Sequence, residues 1–387
     1  MRRILPCLLL AGLATLSAGT ARAGTLGTVF YIDMENHNLT QPSPGNGTSG
    51  NPDQLKGNPA APYLNSLITP GNPNAAQVSY APNYYNVAPG IHPSEPNYIW
   101  QEGGSNFGVA NDNDPSKANG NIFNKPSLSG LLQAKYGTAG WKAYAEDMQY
   151  STLTNGVPMT SASGTNGTVN QFNGSTQYNF APKHVGQLFY SSTTGLNNPG
   201  EGQFYAQLSQ LQSDLNTNNL AKYNLITPDQ YNDMHSALNG GFTYHGTTYT
   251  GDQASVAQGD NFLAQIVSEI MASQAYKNNG AIVIWYDETE GGDSNQYTLP
   301  EIVISPLAKG NAYASPLTYT HSSDLKSLEE LFGLPLLGDS ATPGTNDLGD
   351  LFRFDVFTVP EPSTLGLFAL AGAALAGWRW RRGKRAA

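Results

Sequence analysis

Four short runs of this chain, 27–32 (GTVFYI), 223–227 (YNLIT), 281–286 (AIVIWY) and 301–305 (EIVIS), are dominated by apolar, β-branched and aromatic residues without polar/apolar alternation. A strand with no polar face is buried on both sides, so these runs predict interior strands of a sheet covered above and below. The covering helices are legible too. Asp260–Ala275 sets Phe262, Leu263, Ile266, Val267, Ile270 and Met271 at the spacing of one helical face, and Ser323–Phe332 repeats the pattern with Leu325, Leu328 and Leu331, capped by Ser322 or Ser323. Strands alternating with helices predict an α/β fold, with a mostly parallel sheet and helices on both faces. The Asn-, Gly-, Ser-, Thr- and Pro-rich stretches 38–58 and 152–175 lack such a period and predict long loop insertions.

Both ends look removable. Residues 1–23 hold Arg2 and Arg3, an apolar run and an Ala21-Arg22-Ala23 cleavage pattern, which together predict a secretory signal peptide. At the other end Pro360-Glu361-Pro362 precedes a fourteen-residue apolar stretch, Leu365 to Trp378, and a cluster of five basic residues. A single membrane span usually takes about 20 residues, so this stretch is short for an anchor. The tripartite ending resembles the PEP-CTERM sorting signal of Gram-negative bacteria, which implies processing by an exosortase. The expected organisation is a signal peptide (1–23), one large domain (24–358) and a sorting segment (359–387). The central domain is then expected to cross the inner membrane to the periplasm, cell surface or medium.

Removing both ends takes three arginines from the front and five basic residues plus Glu361 from the back, leaving eleven basic against 28 acidic side chains. A body with a formal charge near −17 has no polyphosphate-binding face, and nucleic acid is not an expected partner. The single cysteine, Cys7, lies in the signal, so disulfides and thiolate chemistry are excluded from the mature chain.

In open α/β sheets functional side chains gather at the carboxyl ends of strands. After the first run comes Asp33-Met34-Glu35-Asn36-His37, after AIVIWY comes Asp287-Glu288-Thr289-Glu290, and after Tyr223–Thr227 comes Pro228-Asp229-Gln230-Tyr231-Asn232-Asp233-Met234-His235. One such acid is ordinarily a helix cap or a turn residue. Three strand ends converging with imidazoles suit a divalent ion such as Zn²⁺, Mn²⁺ or Ca²⁺. A nucleophile is offered by His92-Pro93-Ser94-Glu95-Pro96-Asn97-Tyr98, where prolines on either side of Ser94 restrict its backbone and aim its hydroxyl outward. A dication would make its alkoxide accessible near neutral pH.

The ordered set MENHN, HPSEPNY, ITPDQYNDMH, DETEGG, ISPLAKG and THSSDLKSLEELFGLP resembles the bacterial phosphoesterase family of phospholipases C and acid phosphatases, within the alkaline phosphatase superfamily. The resemblance implies an alkaline phosphatase-like fold and hydrolysis of phosphate mono- or diesters, small molecules or phospholipid head groups, through a phosphoserine. By it, Ser94 is the nucleophile and Asn97 holds a nonbridging phosphate oxygen. Glu35, Asn36, Asp287 and Glu288 match the ligands of the nucleophile-side metal. Asp233, His235 and His321 form a second group, His321 reaching in from a loop before a helix. Lys183 and His184 line the substrate side, as do Glu146 and Asp147.

The chain departs from the family pattern at Glu95, where an apolar residue is usual. A carboxylate there either repels phosphate monoesters or turns into solvent. Two other readings stay open on sequence alone: a non-catalytic surface or matrix protein, and a sulfate-ester hydrolase.

Overall fold

The structure is a computed structural model that describes residues 25–42, 54–87, 91–160, 162–165, 177–195, 199–238, 240–354 and 356–357. The predicted signal peptide and sorting segment lie outside these residues. Among the described residues no helix is long and apolar enough to cross a membrane.

One eight-stranded sheet organises the chain. Its strands are β1 (Val29–Met34), β2 (Val78–Tyr80), β3 (Trp141–Ala145), β4 (Tyr205–Gln207), β5 (Tyr223–Thr227), β6 (Ala281–Tyr286), β7 (Ile302–Ile304) and β8 (Tyr313–Ala314). They lie in the order β8-β2-β7-β6-β1-β5-β3-β4. At the centre, Val29 of β1 stands opposite Tyr223 of β5 and Ala281 of β6, both pairings parallel. β5, β3 and β4 continue in parallel, and β8 is parallel to β2.

Only β7 runs against its neighbours, antiparallel to β6 and β2. Residues 287–301 between β6 and β7 carry no helix, so the chain re-enters the sheet from the end it left by. A wholly parallel order would need a crossover there.

The helices are α1 (Pro62–Leu67), α2 (Ser94–Gly103), α3 (Leu128–Tyr136), α4 (Leu208–Thr217), α5 (Asp252–Ala272), α6 (Gln274–Lys277) and α7 (His321–Leu331). Alternation along β1 sends Tyr31 to one face, where its hydroxyl donates to Asp324 of α7 at 2.9 Å. Tyr286 leaves by the other face and reaches Met234 Sδ at 3.4 Å. Met234 in turn packs on Gly259 of α5, where an added Cβ would sit 2.3 Å from its Cγ. Helices therefore cover both faces, as expected.

Several predicted boundaries move. β1 extends through Met34, so Asp33 is a strand residue, buried and accepting from Gln101 Nε2 at 2.9 Å. The long helix begins eight residues before Asp260, whose buried carboxylate accepts from the N–H groups of Tyr63 (2.8 Å) and Leu64 (2.7 Å) in α1. α7 begins at His321 rather than Ser323, because Thr320 and Ser323 close a capping box in which Thr320 N–H donates to Ser323 Oγ at 3.1 Å. The 152–175 stretch is not all loop: Thr152–Thr154 pairs with Val157–Thr160, and Ala162–Thr165 pairs with Gln177–Phe180.

Candidate active site

The carboxyl ends of β1, β5 and β6 are neighbours, and backbone bonds knit the residues that follow them. Glu35 N–H donates to Asp233 O (2.8 Å), and Asp287 N–H donates to Met34 O (3.2 Å). Asn36, with φ at 41°, turns the chain out of the sheet, and its N–H donates to Asp287 Oδ1 at 3.2 Å. Asn38 clamps the loop after β6, its Oδ1 accepting from Glu290 N–H (3.0 Å) and its Nδ2 donating to Glu290 O (2.7 Å). After β5, Asp229 Oδ1 accepts from the N–H groups of Tyr231 (3.0 Å) and Asn232 (2.8 Å), an Asx turn that leads Met234 into left-handed backbone at φ 83°.

Ser94 opens α2, with Pro93 as N-cap and Pro96 in the first turn, where a missing N–H costs nothing. The expectation that its hydroxyl points outward is corrected. Ser94 is buried, and its Oγ donates toward Glu35 Oε2 (3.2 Å) and Glu288 Oε1 (3.3 Å). The Asn36 amide completes this corner: turned so that its nitrogen rather than its oxygen faces the carboxylates, Nδ2 donates to Glu288 Oε1 and Glu35 Oε2 at 3.2 Å each.

Glu95 faces away, but it is itself buried beneath the 112–121 loop rather than open to solvent: its oxygens accept from Asn113 N–H (2.6 Å) and Asn121 Nδ2 (2.7 Å). Asn97 also departs from expectation. Its Nδ2 donates to the carbonyls of Ile91 (2.9 Å) and Pro93 (3.3 Å), so both amide hydrogens hold the segment leading into Ser94. Its buried Oδ1 has no donor.

His184 does not sit apart on a substrate side. It ends the short 3₁₀ turn Pro182–His184, with Nε2 3.2 Å from Glu35 Oε1 and Nδ1 3.4 Å from Asp233 Oδ2. Its ring stacks on Tyr98 (centroids 5.1 Å, planes 14°), whose hydroxyl donates to Glu35 Oε1 at 2.6 Å. Glu35, His184 and Asp233 present ligand atoms that all lie within 4.8 Å of one another. Lys183 turns the other way, to an ion pair with Asp112.

The predicted trio of Asp233, His235 and His321 is divided. His235 is exposed, its ring centroid 5.8 Å from that of His184 and its N–H donating to Asp233 Oδ1 at 2.8 Å. His321 stands with Asp287: its Nε2 meets the Asp287 carbonyl, its Nδ1 lies 3.0 Å from Tyr84 OH, and its ring leans on Trp285 at 4.8 Å. His321 is also the first residue of α7 rather than part of a preceding loop. Glu146 and Asp147 lie at the end of β3 and bond toward Asp229 and Asn232, Glu146 Oε2 accepting from Asp229 N–H (3.0 Å) and Asn232 Nδ2 (2.7 Å).

Two residues of the HPSEPNY motif join the site without having been singled out. Tyr98 is one helical turn past Ser94, the spacing that puts two side chains on one face, and this could have been read from the sequence. His92 lies against Glu288 and 3.0 Å from Asp293 Oδ2. The hydrogen bond to Glu288 pushes its imidazole up to about 9.

The electrostatics point one way. Burial, reinforced by mutual repulsion, pushes the carboxyls of Glu35, Asp233 and Asp287 well above the usual range. Burial holds His184 well below its ordinary value and takes His321 down to about 4. Asp287 Oδ2 is buried with no donor, and Asp233 Oδ2 has only the His184 ring beside it. Buried carboxylates without a cationic partner are costly, whereas a bound dication reverses the penalty. The donor set fits such an ion, and imidazole beside carboxylates suits Zn²⁺ or Mn²⁺ better than the all-oxygen shells of Ca²⁺.

Comparison with known proteins points to phosphate-ester hydrolysis. Residues 75–335 match the Phosphoesterase family, and residues 358–382 match the PEP-CTERM protein-sorting motif. The chain is 29% identical over 298 residues to a phosphatidylinositol-3-phosphatase of Mycobacterium tuberculosis, covering 76% of this chain and 78% of that one. It is 25% identical to a phosphate-repressible acid phosphatase of Penicillium chrysogenum over 66% of this chain, and spans about half of that relative's length (52%). Similar solved structures include a protein in the alkaline phosphatase superfamily from Vibrio parahaemolyticus (11% identity, TM-score 0.45, 86% of this chain and 74% of that one). Another is the lipoteichoic acid synthase LtaP from Listeria monocytogenes (9% identity, TM-score 0.45, 87% and 76%).

Proposed function

This chain belongs to the Phosphoesterase family and is a phosphoric ester hydrolase, and from that premise we propose that it is an exported, metal-dependent enzyme using Ser94 as nucleophile. The observation that carries the reading is the position of Ser94 Oγ, 3.2 Å from Glu35 and 3.3 Å from Glu288 at the convergence of three strand ends.

In this reading Glu35, Asp233 and His184 hold one divalent ion, while Asp287, Glu288, Asn36 and His321 belong to the nucleophile side of the same cluster. When bound, Zn²⁺ or Mn²⁺ lowers the pKa of an oxygen nucleophile and neutralises charge on the transferring phosphoryl group. The protein's own contribution is geometric. The O–H of Ser94 points at Glu35 and Glu288, which leaves an oxygen lone pair for phosphorus. The Ser94 Oγ–P bond forms as the ester P–O bond breaks, and the departing alcohol takes a proton. Water then attacks phosphorus, phosphate leaves, and Ser94 recovers its proton. Asn97 fixes the segment before Ser94 and so acts as a positioning residue. His92 supplies positive charge beside the nucleophile, held above neutrality by Glu288, whereas the ammonium of Lys183 is paired with Asp112.

The acidic body, the predicted signal peptide and the PEP-CTERM motif support export through the inner membrane, with exosortase as processing partner. Phosphate esters of small molecules or of phospholipid head groups are the proposed substrates, in keeping with a relative that is a phosphatidylinositol-3-phosphatase. The test is hydrolysis of a chromogenic monoester and diester by the mature protein before and after chelation. Activity lost with chelator and restored by Zn²⁺ or Mn²⁺ supports the reading, and turnover indifferent to chelation overturns it.

A further inference from the structure

One carboxylate stands outside the cluster, between the start of a helix and a lysine. Asp112 lies on the connection from α2 to α3. Its Oδ1 accepts from the N–H of Glu95, the residue after Ser94, at 3.4 Å, and its Oδ2 pairs with the Lys183 ammonium. Helix N-termini and ammonium groups are both ordinary holders of phosphate oxygens. Here a side chain of the same protein takes the two together. The Lys183 charge is also felt at Asp233 and His235, which puts the pair beside the site.

The two partners are anchored unequally. Lys183 lies in the turn Pro182–His184, which the Thr227 hydroxyl ties to β5, and its side chain is only 15% exposed. The Asp112 side chain is 37% exposed, on a loop whose residues 111–113 and 117–120 face solvent. The loop is held down from below by the Glu95 carboxylate, through Asn113 N–H and Asn121 Nδ2. Glu95, the departure from the family pattern, therefore seats the segment that carries Asp112.

We propose that Asp112 is a self-inhibiting latch: in the free enzyme it takes Lys183 and the Glu95 N–H, and a phosphate ester must push it aside before a nonbridging oxygen of its own reaches those donors. The role rests on the proposed hydrolysis at Ser94. A protein whose binding-competent state is only partly populated binds more weakly by that fraction, so the latch acts on apparent affinity. Monoesters and diesters both carry a nonbridging oxyanion. The latch therefore weakens both and does not choose between them.

The experiment is calorimetric titration of inorganic phosphate into the mature protein, with KM for a chromogenic monoester measured beside it, for wild type, Asp112→Asn, Lys183→Met and the double variant. Asp112→Asn should bind phosphate about fivefold more tightly, the upper end for a solvent-accessible ion pair, and KM should fall to match. In the Lys183→Met background the same change should gain clearly less, because the donor it releases is missing. Asp112→Ala, which also cannot pair with Lys183, should repeat the result.

Phosphate that binds none of the proteins, or binds Asp112→Asn no more tightly than wild type, overturns the latch. An equal gain with and without Lys183 overturns it too, since Asp112 would then be only a repelling charge. Ser94→Ala keeps the two readings apart: turnover that survives it removes the nucleophile, while the phosphate titration still reads the latch.

Discussion

His184 Nε2 lies 3.2 Å from Glu35 Oε1, and both side chains are buried. On the ring's other edge, Nδ1 is 3.4 Å from Asp233 Oδ2, so a single neutral imidazole separates two buried carboxylates. Burial drives the ring away from protonation, so it cannot neutralise them as an imidazolium. A ligand role for this histidine resolves the conflict.

His184→Ala should therefore abolish stoichiometric metal retention after dialysis. Metal at about a hundredfold above its Kd stabilises a folded protein by about 2.7 kcal/mol. Calorimetry with and without Zn²⁺ should show that gain in wild type and little of it in the variant. Equal metal content in the two proteins would remove His184 from the site.

Glu95→Gln probes the residue that departs from the family pattern. Because its oxygens accept from Asn113 N–H and Asn121 Nδ2, substitution should loosen the 112–121 loop at a cost of about 1–3 kcal/mol, seen as a lower melting temperature. The ratio of kcat/KM for monoester and diester should stay within about twofold, less than 0.5 kcal/mol of barrier. A large shift toward monoesters would mean that this carboxylate faces the substrate after all.

Acidity should stabilise the metal-free protein. Burial raises Glu102 to about 7 and Asp260 to about 7, and burial together with Asp229 raises Asp147 to about 8. For a carboxyl raised on folding, the unfolded chain loses its proton first, so stability is full below the unfolded value near 4 and drains as pH climbs through the folded value. Histidines with lowered values oppose this only below about 6.5. The denaturant midpoint should accordingly fall from pH 6.5 to 8, and a rising midpoint across that window would contradict these environments.

Export and tail processing are checked by intact mass. The protein recovered from the cell surface or medium should lack the segment that follows Pro360-Glu361-Pro362, including Trp378 and the basic cluster. Membrane-bound material that keeps Arg379–Arg385 would mean that the ending works as an anchor.

The central strands were legible because they are buried on both faces and carry no polar alternation; Val29–Ile32 and Ala281–Tyr286 are all buried. β3 was not legible. Its sequence WKAYA places Lys142 in a strand, which is tolerated only because Asp214 of α4 takes the ammonium at 2.6 Å. The acidic residues at strand ends were legible because connectivity alone brings Glu35, Asp233 and Asp287 to one edge. The partition of the histidines was not. His184 leaves a 3₁₀ turn rather than a strand, and the Thr227 hydroxyl donating to its carbonyl at 3.3 Å fixes that turn against β5. His321 is held between the Tyr84 hydroxyl and the Asp287 carbonyl, and the first of these contacts spans more than two hundred residues that no local pattern encodes.

The central claim is that Ser94 is phosphorylated during turnover. Acid quenching of wild-type protein during hydrolysis of a chromogenic monoester, followed by peptide mass spectrometry, tests it directly. The account predicts phosphate on the peptide containing Ser94, and none with Ser94→Ala, whose rate falls below a tenth of wild type, a barrier rise above ~1.4 kcal/mol. A Ser94→Ala protein that keeps most of its activity, or a phosphopeptide that does not contain Ser94, would contradict it.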